Sequence, residues 1–225
     1  MSNFGINLHY ITVATKQHPV LDKIIERVKK QNEQMIIMGL NENRQIGWEG
    51  TGNFGVKLRE TRDFVFNEKI RPQDIVLFTD AYDVVYGGSQ IEVLKRFIEQ
   101  KKPIMFGCES QCHPDKENSS KYPEQTTEFP YLNSGMFIGY AWALRYCLSG
   151  YEYNDADDDQ RFWTNQYLQY PWLFKLDHEN QLFLNTEDMD WDKFTWENAT
   201  ATYKNSNPQF IHVNGPDKAK LERLM

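Results

Sequence analysis

Three sets of polar residues close apolar runs in this chain of 225 residues. Asp80 and Asp83 follow the run at 74–79. Two carboxylates three positions apart, just past a buried strand, can reach one divalent cation, and a bound diphosphate would complete its shell of oxygen ligands. The same pair could instead cap a turn or a helix. His212, with Asn214 two residues on, ends a second run. Neutral imidazole is a common metal ligand, and oxygen ligands with one imidazole suit Mn²⁺ better than Mg²⁺. The plainer alternative is a histidine satisfied by its neighbours at a strand end. Glu109 is the third strand-end acid. A fourth candidate is the run Asp155-Ala156-Asp157-Asp158-Asp159 before a helical segment. Acids suit a helix start, but this run has more carboxylates than one start neutralises. The remainder could bind sugar hydroxyls or a cationic amine.

Composition narrows the function classes. The net charge of −7, from 25 basic and 32 acidic residues, argues against a sequence-independent nucleic-acid binder. It leaves room for a local basic pocket that takes a phosphorylated ligand. No GxxxxGK[ST] loop, GxGxxG turn or GxSxG elbow occurs, which argues against a P-loop NTPase, a dinucleotide oxidoreductase and an α/β-hydrolase. Three cysteines without CxxC spacing predict neither a disulfide framework nor a structural zinc site. No apolar run approaches the ~20 residues of a membrane span, so no transmembrane segment is expected. Aromatic residues make up 14% of the chain and are read first as core.

These candidates need a scaffold that brings strand ends together. Residues 8–15 and 34–40 read as strands around a helix in which Val20, Leu21, Ile24, Ile25 and Val28 recur at three and four. This β-α-β opening points to an α/β fold. A polar, Gly-rich loop at 41–55 carries an isolated Trp48, and 56–66 reads as a helix. Residues 74–80 read as a central strand buried on both faces, and 103–109 as another ending in an acid. Between them, Ile91, Leu94, Phe97 and Ile98 predict a helix. A long loop is expected at 110–130, then an apolar stretch at 131–140 interrupted by Asn133-Ser134-Gly135. Helices are expected at 141–148 and 162–168, a hairpin from 175–177 and 181–185, and a closing strand from 209 that runs into a turn. In such sheets ligands bind beyond the carboxyl ends of the strands. One domain over 1–225 is expected.

The run Phe78-Thr79-Asp80-Ala81-Tyr82-Asp83-Val84 resembles the metal-binding signature of the glycosyltransferase domain in the procollagen lysyl hydroxylase and collagen glucosyltransferase family. Further similar segments follow in the same order. They are Ile11-Thr12-Val13-Ala14-Thr15, Gly47-Trp48-Glu49-Gly50, Phe129-Pro130-Tyr131-Leu132-Asn133-Ser134-Gly135, Asp157-Asp158-Asp159-Gln160, Leu176-Asp177-His178 and His212-Val213-Asn214-Gly215-Pro216. The resemblance implies a GT-A glycosyltransferase fold, a Rossmann-like mixed sheet flanked by helices, using Mn²⁺ and a UDP-sugar donor. By matching position, Asp80, Asp83 and His212 would be the metal ligands, and Tyr82 would stack on the uracil. Thr15, Trp48, Lys57, Asn214, Gly215 and Lys218 would surround the nucleotide and its phosphates. Asp158 and Asp159 would face the donor sugar or the acceptor, with Asn133 nearby.

The activity so implied is a retaining hexosyl transfer from UDP-glucose, or from UDP-galactose, to hydroxylysine or galactosyl-hydroxylysine of collagen-like chains. Alternatives are a transferase for another glycan or protein acceptor, and an inactive nucleotide- or glycan-binding module. The chain departs from the family pattern where Ala156 breaks the acidic run and where His113 follows Cys112 in place of a Trp. That second change sets an imidazole where the family has an indole bordering the acceptor pocket. No hydroxylase domain is expected within 1–225. Relatives act in the endoplasmic reticulum, but the N-terminus here lacks a secretory pattern, so a cytoplasmic location in a virus or microbe is expected.

Overall fold

The computed structural model describes residues 5–47 and 54–225. The chain opens with β1 (Leu8–Val13), α1 (Pro19–Lys30) and β2 (Ile36–Met38). Pro19 stands in the first turn of α1, where its missing N–H costs nothing, and His18 Nδ1 accepts the Val20 N–H as the cap. Then come α2 (Gly55–Phe66), β3 (Ile75–Asp80), β4 (Val84–Tyr86), α3 (Gln90–Glu99) and β5 (Ile104–Glu109). The long strand β6 (Tyr131–Tyr140) leads into α4 (Ala141–Leu148) and α5 (Asp159–Gln169). Short elements finish the chain: β7 (Phe174–Leu176), β8 (Phe183–Asn185), β9 (Phe194–Glu197), β10 (Thr200–Tyr203), β11 (Phe210–His212) and α6 (Leu221–Leu224).

Among the described residues the main sheet has six strands in the order β2-β1-β3-β6-β5-β7, with helices packed against it. It is mixed: β6 runs antiparallel to both β3 and β5, and the other pairs are parallel. β3 sits centrally and its apolar residues are buried on both faces, as its sequence predicts. One face packs Phe78, Phe106, Phe137 and Trp163 with ring centroids 4.8–5.2 Å apart. The aromatic content is therefore largely core. A smaller sheet, β4-β11-β8, stands beyond the carboxyl ends of β3 and β5 and carries His212 back towards Asp80.

One irregularity shapes the site. Phe106 of β5 pairs with Phe137 of β6, but the next residue, Gly107, pairs with Asn133. Residues 134–136 are therefore unpaired on the β5 side, although Met136 stays paired with Thr79 of β3, and this irregularity bends the strand and re-aims its side chains. The sequence marks this place as the interruption Asn133-Ser134-Gly135.

Several expectations need correction. The strand around 34–40 is not buried: β2 is an edge strand of three residues with Ile36 41% exposed. The expected hairpin at 175–185 does not form, because β7 joins the main sheet beside β5 while β8 pairs with β11. Asp177 redirects the chain between them by accepting the N–H groups of Gln181, Leu182 and Phe183 at 2.8–2.9 Å. In α3 the buried face is carried by Val93 and Phe97, while Ile91 is exposed. The loop at 110–130 contains a 3₁₀ turn at Lys116–Lys121. Strand β4 and the β9–β10 hairpin were not foreseen. That hairpin turns at Asn198 and Ala199, both with positive φ, and Asn-Ala lacks the glycine that usually announces such a turn. Among the described residues no helix is long and apolar enough to cross a membrane.

Candidate active site

A cleft of about 650 Å³ opens at the carboxyl ends of β3 and β5. Asp80 ends β3 and Asp83 follows in the turn to β4, while His212 ends β11. Antiparallel pairing of β11 with β4 brings the imidazole over the carboxylates. His212 Nε2 lies 3.3 Å from Asp83 Oδ1 and 3.8 Å from Asp80 Oδ2. One ligand atom from each of the three lies within 4.8 Å of the others. Two carboxylates and an imidazole converging in this way fit a divalent cation such as Mn²⁺. Close approach is possible because residue 135 is glycine. A Cβ there would overlap the His212 ring, standing 2.7 Å from Nδ1 and 3.0 Å from Asp80 Oδ2.

Two lysines flank these carboxylates. Lys218 Nζ donates to Asp83 Oδ2 at 2.8 Å and also to the Val213 carbonyl. Burial alone would raise the pKa of Asp83, but His212 and Lys218 outweigh it and hold the carboxyl well below the usual range. Lys57, in the first turn of α2, bridges Asp80 Oδ1 at 2.8 Å and Asp159 Oδ2 at 3.0 Å. Burial works to lower its pKa, yet the Asp159 and Asp80 charges raise it above the usual lysine range. Asp159 itself opens α5, and burial pushes its carboxyl up against the pull of Lys57.

The opposite wall has a different chemistry. Glu109 at the end of β5 is buried and, among the described residues, accepts from three amides: Asn133 Nδ2 at 2.9 Å, Asn214 Nδ2 at 3.2 Å and Gln160 Nε2. Burial pushes it up to about 7, partly offset by the Asn133 and Gln160 hydrogen bonds. Gln160 also accepts the bulged Ser134 N–H at 3.2 Å and donates to the His113 carbonyl at 2.9 Å. The network thus joins β5, β6, α5 and the turn after β11.

Most sequence-derived candidates meet here. Asp80, Asp83, His212, Lys57, Tyr82, Asn133, Asp159, Asn214, Gly215 and Lys218 all line the cleft, and so does His113. The Tyr82 hydroxyl is anchored to the backbone of Lys16, donating to its carbonyl at 2.9 Å and accepting its N–H at 3.1 Å. Two candidates stand back from the wall. Thr15 is fully buried after β1, and its hydroxyl has no partner among the described residues. Asp158 is the N-cap of α5, accepting the Arg161 N–H at 2.8 Å. Trp48 lies outside the described residues. The roles of Glu109, Gln160, Ser134, Gly135 and Glu187 were not read from the sequence, although all line the cleft. Glu109 was visible as a strand-end acid and Gln160 as the end of the acidic run. Glu187 carried no signal.

Carboxyl-end clustering on a mixed sheet with a carboxylate-imidazole site defines the architecture of a GT-A glycosyltransferase. A solved structure shares the fold: a glycosyltransferase involved in glycosylation of the major capsid of PBCV-1 has a TM-score of 0.54 at 12% identity, covering 97% of this chain and 100% of that one. Residues 5–225 match the PLOD GT domain, and the chain belongs to that family. Its relatives include the multifunctional procollagen lysine hydroxylase and glycosyltransferase LH3 of Homo sapiens and of Pongo abelii, each 31% identical over 95% of this chain. Another is procollagen-lysine,2-oxoglutarate 5-dioxygenase 1 of Gallus gallus, 30% identical over 97% of the chain. The chain spans only 30–31% of the length of these relatives.

Proposed function

We propose that residues 1–225 form one glycosyltransferase domain that moves a hexose from a UDP-sugar, with Mn²⁺, to hydroxylysine or galactosyl-hydroxylysine of a collagen-like chain. UDP-glucose is the preferred donor, UDP-galactose the second, and the anomeric configuration is retained. The observation that carries this reading is the convergence of Asp80, Asp83 and His212 in a cleft that also presents Lys218. The names of the relatives, which place a procollagen lysine hydroxylase and a glycosyltransferase in one protein, support a collagen-like acceptor.

In this reading Asp80, Asp83 and His212 would hold the cation, which would supply Lewis-acid stabilisation of a diphosphate leaving group. Lys218 adds a second positive charge on the same side, where charge develops as UDP leaves. Tyr82, fixed through its hydroxyl, offers its ring to the uracil, and Asn214 and Gly215 line the nucleotide side, with Thr15 buried behind it. Asp159, held by Lys57, faces the sugar as it becomes oxocarbenium-like, and nearby carboxylate charge stabilises that state. Asn133 is the neighbouring contact for sugar or acceptor. Asp158 acts through the start of α5, which it caps.

The test is UDP release from UDP-glucose and UDP-galactose with Mn²⁺, with and without a hydroxylysine peptide. Peptide-dependent release from one donor is expected. Release that ignores the peptide would point to another acceptor, and no release under any condition would support the inactive binding module.

A further inference from the structure

A histidine holds a cation only through a nitrogen with a free lone pair, so the proton on its other nitrogen matters as much as its position. In His212 the nitrogen turned to Asp80 and Asp83 is Nε2. The other, Nδ1, lies 2.7 Å from Asn185 Oδ1. Asn185 is fully buried at the end of β8 and is the register partner of His212 across the parallel β8–β11 pair, so both side chains leave the same face.

The orientation of the Asn185 amide follows from its second contact. Asn185 Nδ2 donates to the Cys108 carbonyl at 2.8 Å. A carbonyl only accepts, so the NH₂ end must face Cys108 and the oxygen must face His212. That oxygen also only accepts, which requires the proton on Nδ1 and leaves Nε2 for the cation. The glycine at 107 makes room for this arrangement: a Cβ there would stand 3.0 Å from Asn185 Nδ2 and 3.2 Å from Phe183 Cβ. On the far side, the absent Cβ of Gly135 lets the ring lie against the bulge. Turning the ring over would strand a buried amide oxygen without a donor, a loss that costs more than the bond itself contributes.

We propose that Asn185 is a positioning residue that fixes the tautomer and ring plane of His212 for cation binding. This rests on reading Asp80, Asp83 and His212 as a metal site. Removing such a partner of a metal-bound histidine typically weakens affinity about 10–100-fold.

Two measurements test it, neither of them activity. The first follows Mn²⁺ uptake by the loss of the free-ion electron paramagnetic resonance signal in the wild type and in Asn185→Leu, which keeps the branching of the side chain and removes both polar atoms. The wild type is expected to bind, and the variant to bind about 10–100-fold more weakly. A wild type that takes up no Mn²⁺ would sink the metal-site reading and this inference with it. Equal affinity in both proteins would sink the inference alone. The second is the histidine ¹⁵N spectrum of the wild type loaded with ¹¹³Cd²⁺, with His212 assigned by its loss in His212→Gln. A proton on Nδ1 and cadmium coupling at Nε2 are expected. Cadmium on Nδ1, or a proton on Nε2, overturns the proposal, and this spectrum decides the matter even if Asn185→Leu does not fold.

Discussion

Strand β3 is preceded by one aspartate and ends on another, and the two have opposite roles. Asp74 at the amino end is fully buried and takes its donors from Arg71 and from the segment before β1: the Arg71 N–H at 2.9 Å, the Arg71 guanidinium at 2.6 Å and the Asn7 N–H at 3.2 Å. Burial would raise its pKa, but these donors win and hold the carboxyl down at about 2. Asp80 at the carboxyl end faces a cleft, and its partners come from α2 and β11. Asp74 is thus closed by groups that belong to the fold. Asp80 is met by a lysine and an imidazole, groups that a cation or a substrate can engage. Residue type is the same at both ends; what separates structure from chemistry is which end of a parallel strand opens to solvent.

The largest effect should come from the open end. Asp83→Ala or Asp80→Asn is expected to lower UDP release by about 1000-fold or more, because charge stabilisation at the leaving group is lost. Near wild-type turnover at modest Mn²⁺ would remove the mutated residue from the site and erase the contrast with Asp74. Gly135→Ala drives a methyl group into the His212 ring and should weaken Mn²⁺ uptake about 10–100-fold, the range seen when a ligand loses its orientation.

At the closed end the effect should appear in stability instead. Asp74→Ala is expected to cost about 2–3 kcal/mol in urea unfolding, the scale of hydrogen bonds to a charged group, with activity per folded molecule unchanged. A fall in turnover without a fall in stability would break the comparison.

Acid and base titration of the metal-free protein sharpens it further. Asp74 has its pKa depressed from 3.8 to about 2, so its contribution is present above pH 3.8 and is lost as pH falls towards 2. Glu109 has its pKa raised from 4.5 to about 7, so its contribution is present below pH 4.5 and is lost as pH rises through 7. Melting temperatures across this range should show Asp74→Asn flattening the acid limb and Glu109→Gln flattening the neutral one. An unchanged neutral limb in Glu109→Gln would mean that the amide network keeps this carboxyl ionised. The smallest effect is expected for Asp158→Ala, which loses a helix cap worth about 1 kcal/mol. A large drop in kcat with stability intact would instead move Asp158 into the chemistry.

Much of this molecule could be read in advance. The run ending at Asp80 announced a central strand, and Pro19 with the three-and-four spacing after it announced α1. The metal candidates were legible because strand-end acids and a strand-end histidine stand out against apolar runs. Other parts carried no such mark. The hairpin expected at 175–185 failed because Asp177 gathers three backbone donors, a contact that alternation of side chains does not encode. That failure also hid Asn185, whose value depends on β8 lying beside β11 rather than β7. Glu109 was seen as a residue but not as a protonation state, because its amide partners come from three other elements.

By itself the sequence determined the periodic elements, the α/β class and the polar residues that end its strands, since burial periodicity and capping act over a few neighbouring positions. Only the tertiary structure decided which carboxylates meet cations and which meet amides, where β6 leaves its ladder, and which nitrogen of His212 is turned to the acids. Those outcomes depend on pairing between distant segments, where a shift of one residue sends a side chain to the other face of the sheet.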